Sequence, residues 1–264
     1  MLSILLLSCV FIGIIVGFLS GLLGIGGGLI IVPALVYLLP KLAIPMDVAM
    51  PLALGTSLCS IVVTSSSSTL AHYKNSNIPW ALTKKFIVAI SLGSLSGALV
   101  ADLLSVSLLK TIFAVAVSVL SVYMLLSIRV TKTRPLPNDV IIFIIAYACG
   151  ILSSLMGISG AVILIPILTI FGVSVRYAIG LSTTCGALVA AFGTAGYIIS
   201  GIGTSHLPPW SIGYVYLPAL IAITITSTFF APLGVRYANK LPVKTLKRFF
   251  AFFLLLVALK MVFV

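Results

Sequence analysis

From its first residues the chain is a succession of long apolar runs parted by short polar breaks. In the first half the runs are Ile4 to Leu23, Leu29 to Leu39, Val48 to Ala71, Phe86 to Leu104 and Leu108 to Ile128. In the second half they are Val140 to Met156, Ala161 to Phe171, Val175 to Ile199, Ile212 to Gly234 and Phe249 to Val264. The linker between the halves, RVTKTRPLPND at 129–139, combines three cationic residues with two prolines. Most runs approach the roughly 20 residues that a helix needs to cross a hydrocarbon core about 30 Å thick. They lack the ten-residue alternation of a membrane barrel, so the predicted spans are helices, which satisfy their backbone groups internally. The second run of each half holds only about a dozen residues, too few to cross comfortably.

Each short run follows a glycine-rich break, and the text around the break is written twice. GFLSGLLGIGGGLIIVPAL at 17–35 aligns with GILSSLMGISGAVILIPIL at 150–168 under a constant shift of 133 positions. Ten of the nineteen residues are identical, among them Gly17/Gly150, Ser20/Ser153, Gly24/Gly157, Gly27/Gly160 and Pro33/Pro166. Further on, Leu54-Gly55-Thr56-Ser57 matches Leu181-Ser182-Thr183-Thr184, and Trp80 matches Trp210. This is an internal duplication: residues 1–133 and 134–264 form two repeats of a single membrane domain. Interrupted apolar segments at matching places in two halves point to the binding site of a transporter.

Composition narrows the class. Hydrophobic residues make up 61% of the chain and charged residues 7%, far below the quarter or so that a soluble surface requires. The protein is therefore predicted to be an all-α, polytopic membrane protein. Its net charge of +12 sits between apolar runs, where Lys and Arg set topology, so nucleic acid is not an expected partner. The four cysteines, Cys9, Cys59, Cys149 and Cys185, all lie inside apolar runs without metal-ligand spacing, and neither a metal nor another cofactor is expected. LLSC at 6–9 looks like a lipoprotein cleavage site, but no Lys or Arg precedes it and the run continues, which favours an uncleaved helix.

Charge also relates the halves. Lys74, Lys84 and Lys85 fill the loop between the third and fourth runs of the first half, whereas its counterpart at 200–211 has no Lys or Arg. The next loop reverses this, with Asp102 against Lys110 in the first half and Arg236, Lys240, Lys244, Lys247 and Arg248 in the second. Cytoplasmic loops collect cations, so the repeats are predicted to be inverted. Both termini then face outside, provided that the first two runs of each half together cross an even number of times, as a re-entrant pair or as two spans.

Candidate chemistry centres on the breaks. A helix that restarts at membrane depth offers unpaired backbone N–H groups and the positive end of its dipole, an anion site that needs no charged side chain. The alternative is that the glycines only permit a tight hairpin. Neither a phosphate-binding Walker loop nor a dinucleotide fingerprint fits, since no Gly-Lys-Ser/Thr follows and Leu29 stands where the last glycine should. The serine run 64–69 either lines a wet pathway or bonds back to its own helix. The chain has no Glu, and Asp47, Asp102 and Asp139 lie near run ends. Cation and proton pumps keep a carboxylate in the membrane, so an anionic substrate is expected. An enzyme would need a nucleophile with its base, or a metal cluster; none is visible and none is expected.

The duplicated G-x-L-S-x-L-x-G-I-x-G with a proline six residues on, followed by a Thr-containing L-G-T-S element, resembles the TauE/SafE family, the sulfite exporters. The likeness covers nearly the whole chain. It implies transport of small sulfur-containing anions such as sulfite, thiosulfate, sulfoacetate and other organosulfonates, by a multi-pass protein of the inner (plasma) membrane. It further implies a site built from Gly24, Gly26, Gly27, Thr56 and Ser57 with Gly157, Ser159, Gly160, Thr183 and Thr184. Ser159 and Ala161 replace Gly26 and Gly28 in the second copy, so the half-sites are not equivalent. An anion channel is the alternative; homo-oligomerisation stays open.

The charge pattern carries its own test. Cysteines introduced at Ser205 and Ser105 should react with an impermeant thiol reagent from outside, and one at Asn239 only from inside. Labelling of positions 205 and 239 from the same side contradicts the inverted arrangement.

Overall fold

The computed structural model describes residues 2–23, 26–42, 44–126, 135–238, 251–256 and 258. Helices dominate: α1 (Leu2–Leu23), α2 (Gly28–Leu38), α3 (Met46–Lys74), α4 (Trp80–Leu103), α5 (Val106–Leu126), α6 (Asp139–Met156), α7 (Ala161–Ile170), α8 (Val175–Ser200) and α9 (Leu217–Ala238). A 3-10 turn, Leu39–Leu42, follows α2. Six of these helices, α3 to α6, α8 and α9, are long and apolar enough to cross a membrane. At about 1.5 Å per residue, the 11-residue α2 and 10-residue α7 reach only about halfway.

Local signals place several boundaries. Pro45 and Pro79 stand immediately before α3 and α4, positions where a missing N–H and a fixed φ favour a helix start. Asn138 caps α6, its side chain accepting from the Ile141 N–H at 3.0 Å. The run read as Ile212 to Gly234 is corrected. Its first residues form a small antiparallel hairpin, β1 (Ser211–Ile212) with β2 (Val215–Tyr216), and the helix begins only at Leu217. Gly213, at φ 52°, makes the turn. The last run, Phe249 to Val264, lies largely outside the described residues, though 251–256 are helical.

The helices pair across the halves. α4 lies along α6, so close that a Cβ on Gly93 would come within 2.1 Å of the Tyr147 carbonyl oxygen, and one on Gly150 within 2.4 Å of that of Ile90. α1 lies along α9 in the same way, with Gly17 against the backbone of Ser227. Small residues at such positions let helices pack tightly where lipid provides no hydrophobic drive. Matched contacts give the running directions. Gly93 meets Tyr147 and Gly97 meets Ile151, so α4 and α6 are parallel; Gly13 meets Ile223 and Gly17 meets Ser227, so α1 and α9 are parallel too. α8 runs with α4, since Gly193 meets Ser94 and Gly196 meets Ala98. It runs against α3, where Gly55 meets Tyr197 and Leu58 meets Gly193. α1, α3 and α9 thus point one way and α4, α6 and α8 the other. The fold is the expected all-α membrane bundle, with the buried apolar core centred on α2, α3, α4, α7 and α8.

The α4–α6 seam is predicted to be intolerant of volume. Gly93→Leu or Gly150→Leu forces backbones apart, and overpacking of this kind costs about 1–3 kcal/mol or more. In detergent both variants should melt well below the parent, while Val88→Leu on an exposed position should not. A Gly93→Leu protein as stable as Val88→Leu would show the close approach to be dispensable.

Candidate functional site

The second break is built by two left-handed glycines. At φ 64° Gly157 ends α6, its N–H bonding the Ser154 carbonyl at 3.1 Å while the Ile158 N–H bonds that of Ser153 at 3.0 Å, the usual way to satisfy a helix C-terminus. Ser159 follows, and Gly160, at φ 71°, becomes the N-cap of α7. The Ile163 and Leu164 N–H groups both bond the Gly160 carbonyl. The N–H groups of Ala161 and Val162 therefore stand ahead of the first intrahelical bond. The first break restarts its helix in the same way, Ile30 and Ile31 bonding the carbonyl of the N-cap Gly27, but its left-handed residue is Gly26 at φ 66° while Gly27 is at φ −70°. Gly24 lies outside the described residues.

The two breaks touch. A Cβ on Gly28 would fall 2.4 Å from the Gly157 carbonyl oxygen, and one on Gly26 would fall 3.4 Å from Ser159 Oγ. The Ser57 hydroxyl donates to the Gly157 carbonyl at 2.8 Å, tying α3 to the second break. Gly28 lies beside Ile61, Gly160 beside Val189, and the Ser159 carbonyl beside Gly186. These neighbours stand near the midpoints of α3 and α8, so the breaks sit at mid-depth of the bundle. Two helix N-termini, each with a partial positive charge, begin in one region that contains no carboxylate. Asp47, Asp102 and Asp139 are all exposed at helix ends.

The sequence-predicted residues are not all drawn to this point. Gly26, Gly27, Ser57, Gly157, Ser159 and Gly160 gather at the breaks. Thr56, fully buried, is turned to the hairpin, where its hydroxyl oxygen accepts from the Tyr216 N–H at 2.9 Å. Thr183 donates back to its own helix, to the carbonyls of Ile179 and Gly180, and Thr184 donates to that of Gly180. Thr184 also lines a cavity of about 500 Å³ between α3, α4 and α8, with Ser66, Thr69, Leu70, Tyr73 and Trp80 among its other walls. Three further hydroxyls lie outside the expected site residues, Ser182 among them although its Leu181-Ser182-Thr183-Thr184 element is duplicated. Ser153, Ser154 and Ser182 are fully buried, and their Oγ atoms have no hydrogen-bond partner among the described residues. The recurrence of Ser153 as Ser20 was the available signal.

The two ends of the bundle differ. At one, the hairpin seals the space between α3 and α8. The Tyr214 N–H bonds the Tyr197 carbonyl at 3.1 Å, and the Tyr214 hydroxyl donates to Asp102 Oδ1 at 2.9 Å. Burial pushes the Tyr214 phenol above its usual range, keeping it a proton donor. Tyr214 and Tyr216 are buried, while Trp80 and Trp210 are exposed as interfacial aromatics should be. At the other end the 500 Å³ cavity opens beside the α3–α4 turn. There Arg176 bonds Asn77 Oδ1, and Lys85 pairs with Asp139 at 2.5 Å. That ion pair is exposed and contributes little.

Comparison with known proteins agrees with this architecture. The profile of the family described as sulfite exporter TauE/SafE matches residues 9–261. A probable membrane transporter protein of Haemophilus influenzae is 42% identical over 260 residues, covering 97% of each chain. One of Methanocaldococcus jannaschii is 30% identical over 248 residues, covering 90% of this chain and 88% of the relative. A third, from Bacillus subtilis, is 25% identical over 274 residues and 96% of each chain. No solved structure matches. Spanning helices, the paired glycine breaks and a match along almost the entire length lead to one conclusion: the chain is a membrane transporter and belongs to the sulfite exporter TauE/SafE family.

Proposed function

We propose that the protein is a secondary carrier of the plasma membrane that moves small sulfur-containing anions such as sulfite, thiosulfate, sulfoacetate or other organosulfonates. The substrate binds near mid-depth between the two glycine breaks, with residues 1–133 and 134–264 acting as inverted repeats. The observation that carries this reading is the meeting of the α2 and α7 N-termini at Gly26–Gly28 and Gly157–Gly160. Oriented N–H groups and two dipole ends favour an anion, and in a low-dielectric interior that preference is strong. The opposed directions of α1 and α6, of α3 and α8, and of α4 and α9 support the inverted relation. Alternating access then follows by rocking one repeat against the other around a fixed site. With the Lys74, Lys84 and Lys85 loop inside, the cavity reaching Thr184 opens to the cytoplasm and the Tyr214–Tyr216 hairpin closes the outer side. The family name supports a sulfur oxyanion as cargo.

Uptake into proteoliposomes loaded with one sulfur anion and challenged with another tests the reading. Saturable flux accelerated by anion on the opposite side is expected; linear flux without counter-transport would identify a channel, and no flux of any sulfur anion would remove the assignment. Gly27→Leu and Gly160→Leu should lose binding. Thr56→Val separates packing from recognition, because it leaves the Tyr216 N–H without an acceptor. Its stability should fall by about 1–3 kcal/mol. Thr183→Val, which breaks only bonds to its own helix, should stay within about 0.5 kcal/mol of the parent. Both are measured by thermal melting without substrate, and equal melting of the two would remove the structural role given to Thr56.

A further inference from the structure

The two breaks differ in hydroxyl content in a systematic way. Where the second copy has Ser154, Ser159 and Ser182, the first has Gly21, Gly26 and Gly55. Only Ser153 has a serine counterpart, Ser20. The second copy thus carries hydroxyls at positions where the first has glycine, and of these Ser159 lies in the break itself. Ser153 lies where such a donor meets the helix end. It is 0% exposed, its Oγ has no hydrogen-bond partner among the described residues, and that Oγ is only 2.8 Å from where a Cβ on Gly160 would sit. The hydroxyl therefore stands against Gly160, the N-cap of α7, and the next two N–H groups, those of Ala161 and Val162, precede the first helical bond.

A buried hydroxyl without a partner destabilises a fold by roughly 1–3 kcal/mol. A serine in a helix ordinarily avoids this by donating to the carbonyl one turn back, as Thr183, Thr184 and Ser96 do here. Ser153 does not. Its carbonyl is already engaged by the Ile158 N–H in closing α6, so backbone and side chain of one residue serve opposite ends of the break. A group held unsatisfied beside a positively polarised helix terminus is arranged for a partner that arrives from outside the chain.

We propose that Ser153 donates a hydrogen bond to a bound oxyanion at the N-terminus of α7, so that the anion rests on the second break rather than midway between the two. The inference rests on the anion-carrier reading and adds to it a recognition residue and an asymmetry. Oxyanions with several equivalent oxygens suit the arrangement, one oxygen facing the backbone N–H groups and another the hydroxyl. Gly160 has to be glycine for two reasons, its positive φ and the space that the Ser153 hydroxyl occupies.

The test uses the full chain purified in nanodiscs, with binding of sulfite, thiosulfate, methanesulfonate, sulfate and phosphate measured by calorimetry and melting recorded without ligand. Ser153→Ala should weaken the tightest of these anions by roughly ten- to a hundredfold, while ligand-free melting stays level or rises. A hydroxyl that served only the fold would give the reverse, lower melting with unchanged affinity. Ser20→Ala, its counterpart at the first break, should stay within about twofold of the parent in affinity. Affinity unchanged in Ser153→Ala, or equally weakened in Ser20→Ala, overturns the proposal. Binding of phosphate alone, lost in Ser153→Ala, would uphold the Ser153 site and reject sulfur-anion specificity. A parent that binds none of the five overturns both.

Discussion

Breaking a helix inside a bilayer frees backbone groups in a medium that offers them nothing to bond, and each one left unpaired costs several kcal/mol. The chain does this twice, ahead of α2 at 26–27 and ahead of α7 at 157–160, and much of the bundle answers that demand. The Ser154 and Ser153 carbonyls take up the N–H groups of Gly157 and Ile158. Ser57, reaching from α3, donates to the Gly157 carbonyl. The close approach of Gly28 to that same carbonyl wraps one break in the other. What this leaves over are the N–H groups at the starts of α2 and α7, ahead of their first intrahelical bonds, and the proposed anion site rests on them.

The features legible in the sequence were those that repeat or that composition forces. Nineteen residues written twice mark both breaks; glycines at four-residue spacing, Gly13 with Gly17 and Gly93 with Gly97, are a further mark of close helix packing and fall at the α1–α9 and α4–α6 seams. The hairpin at 211–216 was hidden because Ile212, Tyr214, Val215 and Tyr216 read as the start of an apolar run. Gly213 was its only sign, and one glycine among 22 is weak punctuation. The partners of the hydroxyls were hidden for a different reason. Thr56 bonds a backbone group 160 positions away and Ser57 one 100 positions away, and no local pattern encodes such a distance. Thr56 and Ser57 are neighbours in sequence, yet one holds the hairpin and the other the second break.

That division makes α3 a mechanical connection between two places. Along little more than one residue of rise, about 1.5 Å, it is bonded to the hairpin through Thr56 and to the second glycine break through Ser57. A rotation of α3 that shifts one of these bonds shifts the other. Coupling between distant sites needs a shared element with two arrangements, and α3 is positioned to be that element.

The seams also bear on how the protein is made. Among the described residues α1 lies chiefly along α9, which begins nearly two hundred residues later at Leu217. At about 5–20 residues per second, the ribosome needs roughly 10–40 s to supply it. Through that interval the glycine face of α1, a strip of bare backbone, has lipid in place of Ser227 and Ile223. α4 waits only for α6, some three dozen residues on. The second seam can therefore form early and leave the first to close last, which makes insertion of α9 the step that locks the molecule.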